Sequence, residues 1–231
     1  MQLMQDWGGF ALAIAAFFAS HAVPVRPAVK AWLVARLGRS GFGMAYGLLS
    51  LVMLAWVIQA AWAAPFVVLW DQAIWQRWLV NAVMLAAVLL AAFAIGAVNP
   101  FSFGGRSSGF DPERPGIAGV SRHPLLLVLL LWAAAHLLVN GDLAHVLVFA
   151  PFAAFAALGM RAIDARNRRI WGDAEWDRLA ARTSGWPFAA LLGGRWKPQS
   201  GPGLLRLAIG LAVWGGLIWL HPLVIGMPPL P

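Results

Sequence analysis

The residues in this chain best suited to chemistry are its five histidines, and two of them share one apolar run. In RHPLLLVLLLWAAAHLLVNGD, Arg122 to Asp142, His123 stands at the mouth of the run and His136 lies thirteen residues further along it. An ionisable side chain inside a hydrophobic segment is costly, and it marks a functional candidate by default. Neutral imidazole is the commonest metal ligand and suits haem iron. The same ring can also serve as an interhelical hydrogen-bonding group, and residue type alone leaves both readings of His136 open. His21 lies in FFASHAVPVRP, near the end of the first apolar run, behind Phe17, Phe18, Ala19 and Ser20. Trp132 and three alanines precede His136, an aromatic-and-small pattern that lets a macrocycle approach. His145 and His221 fall at the outer ends of apolar runs, where a polar tip at the headgroups is the plain expectation.

The cysteine count is zero, so disulfides, thiolate metal sites, iron–sulfur clusters and cysteine nucleophiles are excluded. A structural zinc site would want cysteines or a carboxylate close to His136, and non-haem iron or copper would want a third histidine at similar depth. Haem needs only two histidines from different helices.

The elements that must position these residues are membrane helices. Of 231 residues 61% are hydrophobic and 11% charged, with mean hydropathy +0.74. Soluble domains carry roughly twice that share of charge, about 25%. Apolar windows at 7–25, 43–63, 77–98, 124–140, 143–160 and 203–221 are each close to the ~20 residues that cross a bilayer. The expectation is an all-α polytopic bundle of about six transmembrane helices forming a single domain over 1–231. No basic residue precedes the first run, so 7–25 reads as a retained span and not a signal peptide. Asn140, Gly141 and Asp142 make a tight turn between the fourth and fifth spans. Residues 186–192, WPFAALL, are too few to span and read as an interfacial segment.

Charge sets the orientation. Of the 17 Lys and Arg residues, Arg77 alone falls on the side opposite the rest. The positive-inside rule then places both termini in the periplasm and the basic loops in the cytoplasm. The net charge of +8 is accordingly read as a topology signal and an anionic-lipid surface. Nucleic acid is not an expected partner, because no aromatic-interleaved basic motif accompanies the charge. Residues 161–192 read as a cytoplasmic amphipathic segment, helical to about 182, with Trp171, Trp176 and Trp186 at the headgroups. Within it Asp173, Glu175 and Asp177 could orient a ligand or simply pair with Arg178 and its neighbours.

The motifs now carry a resemblance. RHP, the W-A-A-A-H helix and L-V-N-G-D in SRHPLLLVLLLWAAAHLLVNGDLAHVLVF resemble the signature of the NnrU family. FFASHAVPVRP, YGLLSLVMLAWVIQA with PFVVLW, and TSGWPF also follow that family's course, so the likeness covers most of the chain. The glycine-rich loop at 101–121 departs from it. The family includes proteins linked to denitrification and is related to the haem b-containing cis-zeta-carotene isomerase of carotenoid synthesis. The resemblance implies a haem b protein of the bacterial inner membrane with His21 and His136 as axial ligands and Arg122, His123 and Trp132 beside the cofactor. It implies an apolar polyene or lipid-like substrate and a redox-dependent cis–trans isomerisation, or a non-enzymatic role in nitrite and nitric oxide respiration. A broader likeness competes. An R-H-P at the mouth of a span also occurs in membrane methyltransferases, where Arg122, His123 and Glu175 would hold S-adenosylmethionine. Those enzymes usually follow the motif with an aromatic and a glycine, and this chain has Leu125 and Leu126.

Overall fold

The computed structural model describes residues 7–199, 201 and 203–231. Nine helices occur among them, and the only ladder contacts are two isolated bridges. The chain divides into two compact units. The first runs to Asp71 and takes in Gly141–Val148; the second comprises Gln72–Asn140 and Phe149–Pro231. In the first, α1 (Trp7–Ala22) packs on α2 (Pro27–Ala63). The second contains α3 (Ile74–Ala94), α4 (Ile117–Val120), α5 (Pro124–Val139), α7 (Asp173–Ala180), α8 (Ala189–Leu192) and α9 (Leu204–Ile225). The remaining helix, α6 (Leu143–Trp171), begins in the first unit and continues in the second.

Four helices, α2, α3, α6 and α9, are long and apolar enough to cross a membrane. The other two apolar helices, α1 and α5, have 16 residues each, about 24 Å of helix against a ~30 Å hydrocarbon core. The six apolar windows therefore fall on six helices, with edges that move. The basic loop expected after the first span is helical, because Pro27 opens α2 at a first-turn position where its missing N–H costs nothing. A break at Gly38 (φ 71°) separates that basic segment from the apolar remainder of α2. Likewise α6 does not stop near 160 but continues to Trp171, where Gly172 (φ 79°) ends it and starts α7.

The second unit is held by small residues. α3 packs against α5 and α9, and Ala87, Ala133 and Gly210 lie at close approaches. A Cβ on Gly210 would come within 2.8 Å of Leu89, which is the kind of near-backbone contact that lets membrane helices gain dispersion energy. Both ends of α3 are tied to distant parts of the chain. Arg206 donates to the carbonyls of Ala92, Phe93 and Ile95, at 2.9, 2.7 and 3.1 Å, satisfying acceptors that a helix C-terminus leaves over. At the other end Arg77 donates to the carbonyls of Pro228 and Leu230, and Asn81 donates to that of Pro229. Trp75, Trp78 and Trp219 are exposed at that same end, where indoles favour the membrane–water interface.

Around the N-terminal end of α5 the loops make their own core. Phe101 is buried edge-on against Phe110, Trp171 and Trp176. Asn99 ties its side-chain oxygen to the Phe101 N–H and donates to the Arg122 carbonyl, while Asn167 donates to the Phe101 carbonyl. The glycine-rich stretch 101–121 is thus packed at its two ends, at Phe101 and around Ala118, while 106–109 stays exposed. Of the three tryptophans expected at the headgroups, Trp176 is buried and Trp171 partly so; Trp186 alone stands out at 70% exposure.

Candidate functional site

Two constellations emerge, and the first is built at the C-terminal turn of α5. His136 lies there, and its Nδ1 donates to the Trp132 carbonyl one turn back at 2.8 Å. A carbonyl can only accept, so Nδ1 carries the proton and the lone pair of the neutral ring sits on Nε2. Fixing one imidazole nitrogen on a backbone carbonyl is how ligand histidines are commonly oriented. The ring lies among aromatics, with Trp132 at 5.5 Å and Phe149 at 5.2 Å between centroids, and Trp132 meets Phe152 at 5.6 Å. Ala133 and Ala135 are buried beside it. Asn140 closes the helix by donating to the His136 carbonyl at 2.8 Å.

His21, in the other unit, repeats the arrangement. It too occupies the last turn of a 16-residue apolar helix, and its Nδ1 donates to the carbonyl four residues back, that of Phe17, at 2.8 Å. The Phe17 ring stacks on it at 4.1 Å, and Tyr46 meets it edge-on at 5.7 Å while donating to the His21 carbonyl. Both proposed ligands therefore share one tautomer and one kind of seat. Tyr46 escaped the sequence reading, although it is the single tyrosine of the chain.

The second constellation stands at the foot of α5. His123 is fully buried as the residue before Pro124, and its Nε2 donates to Asp164 Oδ1 at 2.7 Å. Arg122 grips the same carboxylate from Nη2 at 2.6 Å and from Nε at 3.1 Å. It also donates to Thr183 Oγ1 at 3.1 Å and lies over the Trp176 ring. A planar guanidinium sharing two donors with one carboxylate is a strong charge-assisted contact. Gly185 presses on this group, since a Cβ there would lie 2.7 Å from Arg122 Nη2. The structure therefore brings Arg122 and His123 together through Asp164, and Trp132 and His136 together through one turn of α5. Asp164 and Thr183 were missed because they stand 41 or more residues from their partners.

Glu175 pairs with Arg178 through two contacts of 2.6 and 2.7 Å. The Arg178 guanidinium holds its carboxyl below the usual glutamate range, so the ordinary intrahelical pairing accounts for it. His145 Nδ1 donates to Asp142 at 2.6 Å and meets Trp62 edge-on, and His221 Nδ1 donates to the Met227 carbonyl. No group of three or more His, Cys, Asp or Glu side chains suited to a metal occurs among the described residues.

Comparison with known proteins agrees with the motifs. The family described as NnrU protein matches residues 9–229. Neither curated proteins nor solved structures give a match. The matched span takes in both histidine seats, the Arg122–Asp164–His123 network and the Asn140–Asp142 turn, and so the chain belongs to the NnrU protein family.

Proposed function

We propose that the protein is a haem b-binding protein of the bacterial inner membrane, in which His136 and His21 are the histidines that would hold the haem iron. The observation that carries this is the seat of His136: Nδ1 held on the Trp132 carbonyl, Nε2 bearing the lone pair, and aromatic and small side chains around the ring. The donor chemistry fits. Porphyrin brings four nitrogens of its own, so one or two imidazoles suffice where no multi-residue cluster is present among the described residues. The matching seat of His21 supports the pair that the resemblance names. Haem, when bound, supplies redox-active iron. The chain's contribution is to orient imidazole, to exclude water with Trp132, Phe149 and Phe152, and to set the axial field.

Arg122 and His123 take a different part in this reading. Asp164 engages both of them, so they position the foot of α5, twelve residues below His136 as counted from Pro124. The same engagement is why S-adenosylmethionine is not the cofactor proposed here. An apolar polyene is the substrate class we assign, and its cis–trans isomerisation is the activity that the family likeness attaches to such a site.

The test is spectroscopic first. Detergent-purified protein should show a Soret band, with split α and β bands on reduction, and His136→Ala should lose most of it. A wild-type protein that purifies colourless and takes up no added haemin overturns the reading. Incubating the reduced protein in liposomes with a cis-polyene and resolving the isomers then separates catalysis from a haem protein that only binds nitric oxide.

A further inference from the structure

The segment Trp186–Leu192 has no role in the haem reading, yet its backbone is built with care. Phe188 adopts φ 60°, the one positive φ outside glycine among the described residues. An aromatic held in that sparsely allowed region persists only where neighbours over-determine it, and such sites are often functional. The neighbours are hydrogen bonds to the stretch just before α5. Ser184 N donates to the Ala118 carbonyl at 3.0 Å, Arg122 N to the Ser184 carbonyl at 2.9 Å, and Phe188 N to the Val120 carbonyl at 2.9 Å. Ser184 Oγ adds a bond to the Gly119 carbonyl and accepts the Ala190 N–H.

These bonds set depth. They tie the segment within six residues of Pro124, where the apolar helix α5 starts, and so at the inner membrane boundary. The segment nonetheless turns its largest apolar side chains outward: Trp186 is 70% exposed and Leu192 84%, with Phe188 and Leu191 also exposed. Flanking it are Arg182, Arg195 and Lys197, against one carboxylate, Glu113, already bound by Arg182 at 2.6 Å. An apolar knuckle within a basic collar is complementary to lipid whose headgroups are anionic.

We infer that residues 186–192 form an inner-leaflet anchor that inserts Trp186, Phe188 and Leu192 among anionic phospholipids, with Lys197 on their phosphates. Because Ser184 and Gly185 bear directly on Arg122, the anchor ties the Arg122–Asp164–His123 network to the lipid surface.

The absence of cysteine makes the test clean. Full-length Leu192→Cys, labelled with an environment-sensitive dye, is placed in phosphatidylglycerol or phosphatidylcholine vesicles. In phosphatidylglycerol the emission should shift to the blue, be quenched by nitroxide lipids near the headgroup, and resist aqueous iodide. Phosphatidylcholine, or a Lys197→Glu change in phosphatidylglycerol, should restore iodide quenching. Water-like emission in phosphatidylglycerol overturns insertion, and equal shielding in the two lipids overturns the charge dependence. Shielding that rises with the protein-to-lipid ratio would assign the face to a second copy of the chain instead. None of these readouts requires haem.

Discussion

A single carboxylate on α6 joins the arginine and the histidine at the foot of α5. Asp164 is largely buried, as are Arg122 and His123. Two opposite charges withdrawn from water repay their desolvation only when both stay paired, and removing one partner leaves the other stranded. Asp164→Asn should therefore destabilise the protein by about 3 kcal/mol, seen as a fall of several degrees in the thermal midpoint of the detergent-purified chain. Arg122→Met combined with Asp164→Leu should lose clearly less than the sum of the single changes, because no lone charge remains. Strict additivity would show that the contact is energetically idle. At this scale the sequence was uneven. His136 stood out as a candidate because an imidazole in an apolar run contradicts its surroundings. Asp164 did not, because one acid among four arginines in RAIDARNRRI reads as a solvated face and nothing local points 41 residues back to His123.

Helix ends carry most of the remaining meaning of the motifs. Asn140, Gly141 and Asp142 looked like a simple turn, and each has a separate task. Asn140 closes α5 on the His136 carbonyl. Gly141 lies flat on the extended segment that precedes α3: its carbonyl accepts from Leu69 and Trp70, and a Cβ would fall 1.8 Å from the Trp70 oxygen. Asp142 caps α6 through Oδ1 to the His145 N–H at 3.2 Å. Asp142→Ala should cost about 1 kcal/mol, the usual value of an N-cap. Gly141→Ala should cost more, on the order of 1–3 kcal/mol, since backbone must move to admit the methyl group. Denaturation midpoints of the two variants side by side check the order. Hydropathy located all six apolar helices but misplaced the ends of α2 and α6. Transfer free energy reports where lipid stops; the hydrogen-bond ladder of α6 runs on into water until Gly172 breaks it.

Over the whole molecule the distribution of basic residues sets the expected orientation, with Arg77 alone on the far side. Single cysteines introduced at Asp71 and at Lys197 should react with an impermeant maleimide from the periplasmic and the cytoplasmic side respectively. Labelling of both from one side would break the six-helix reading, and labelling with the sides exchanged would reverse the orientation. Fold class was legible from composition and window length because lipid allows little besides helices. The clamps on α3 were not, because they join Arg77 to residues 151 and 153 positions later and Arg206 to carbonyls up to 114 positions earlier. Those separations have a meaning in time. At a synthesis rate of about 5–20 residues per second, the ribosome needs roughly ten seconds after making the end of α3 before it supplies Arg206. Throughout that interval the carbonyls of Ala92, Phe93 and Ile95 must lean on water or on the insertion machinery, so α3 reaches its final bonding only after α9 has been delivered.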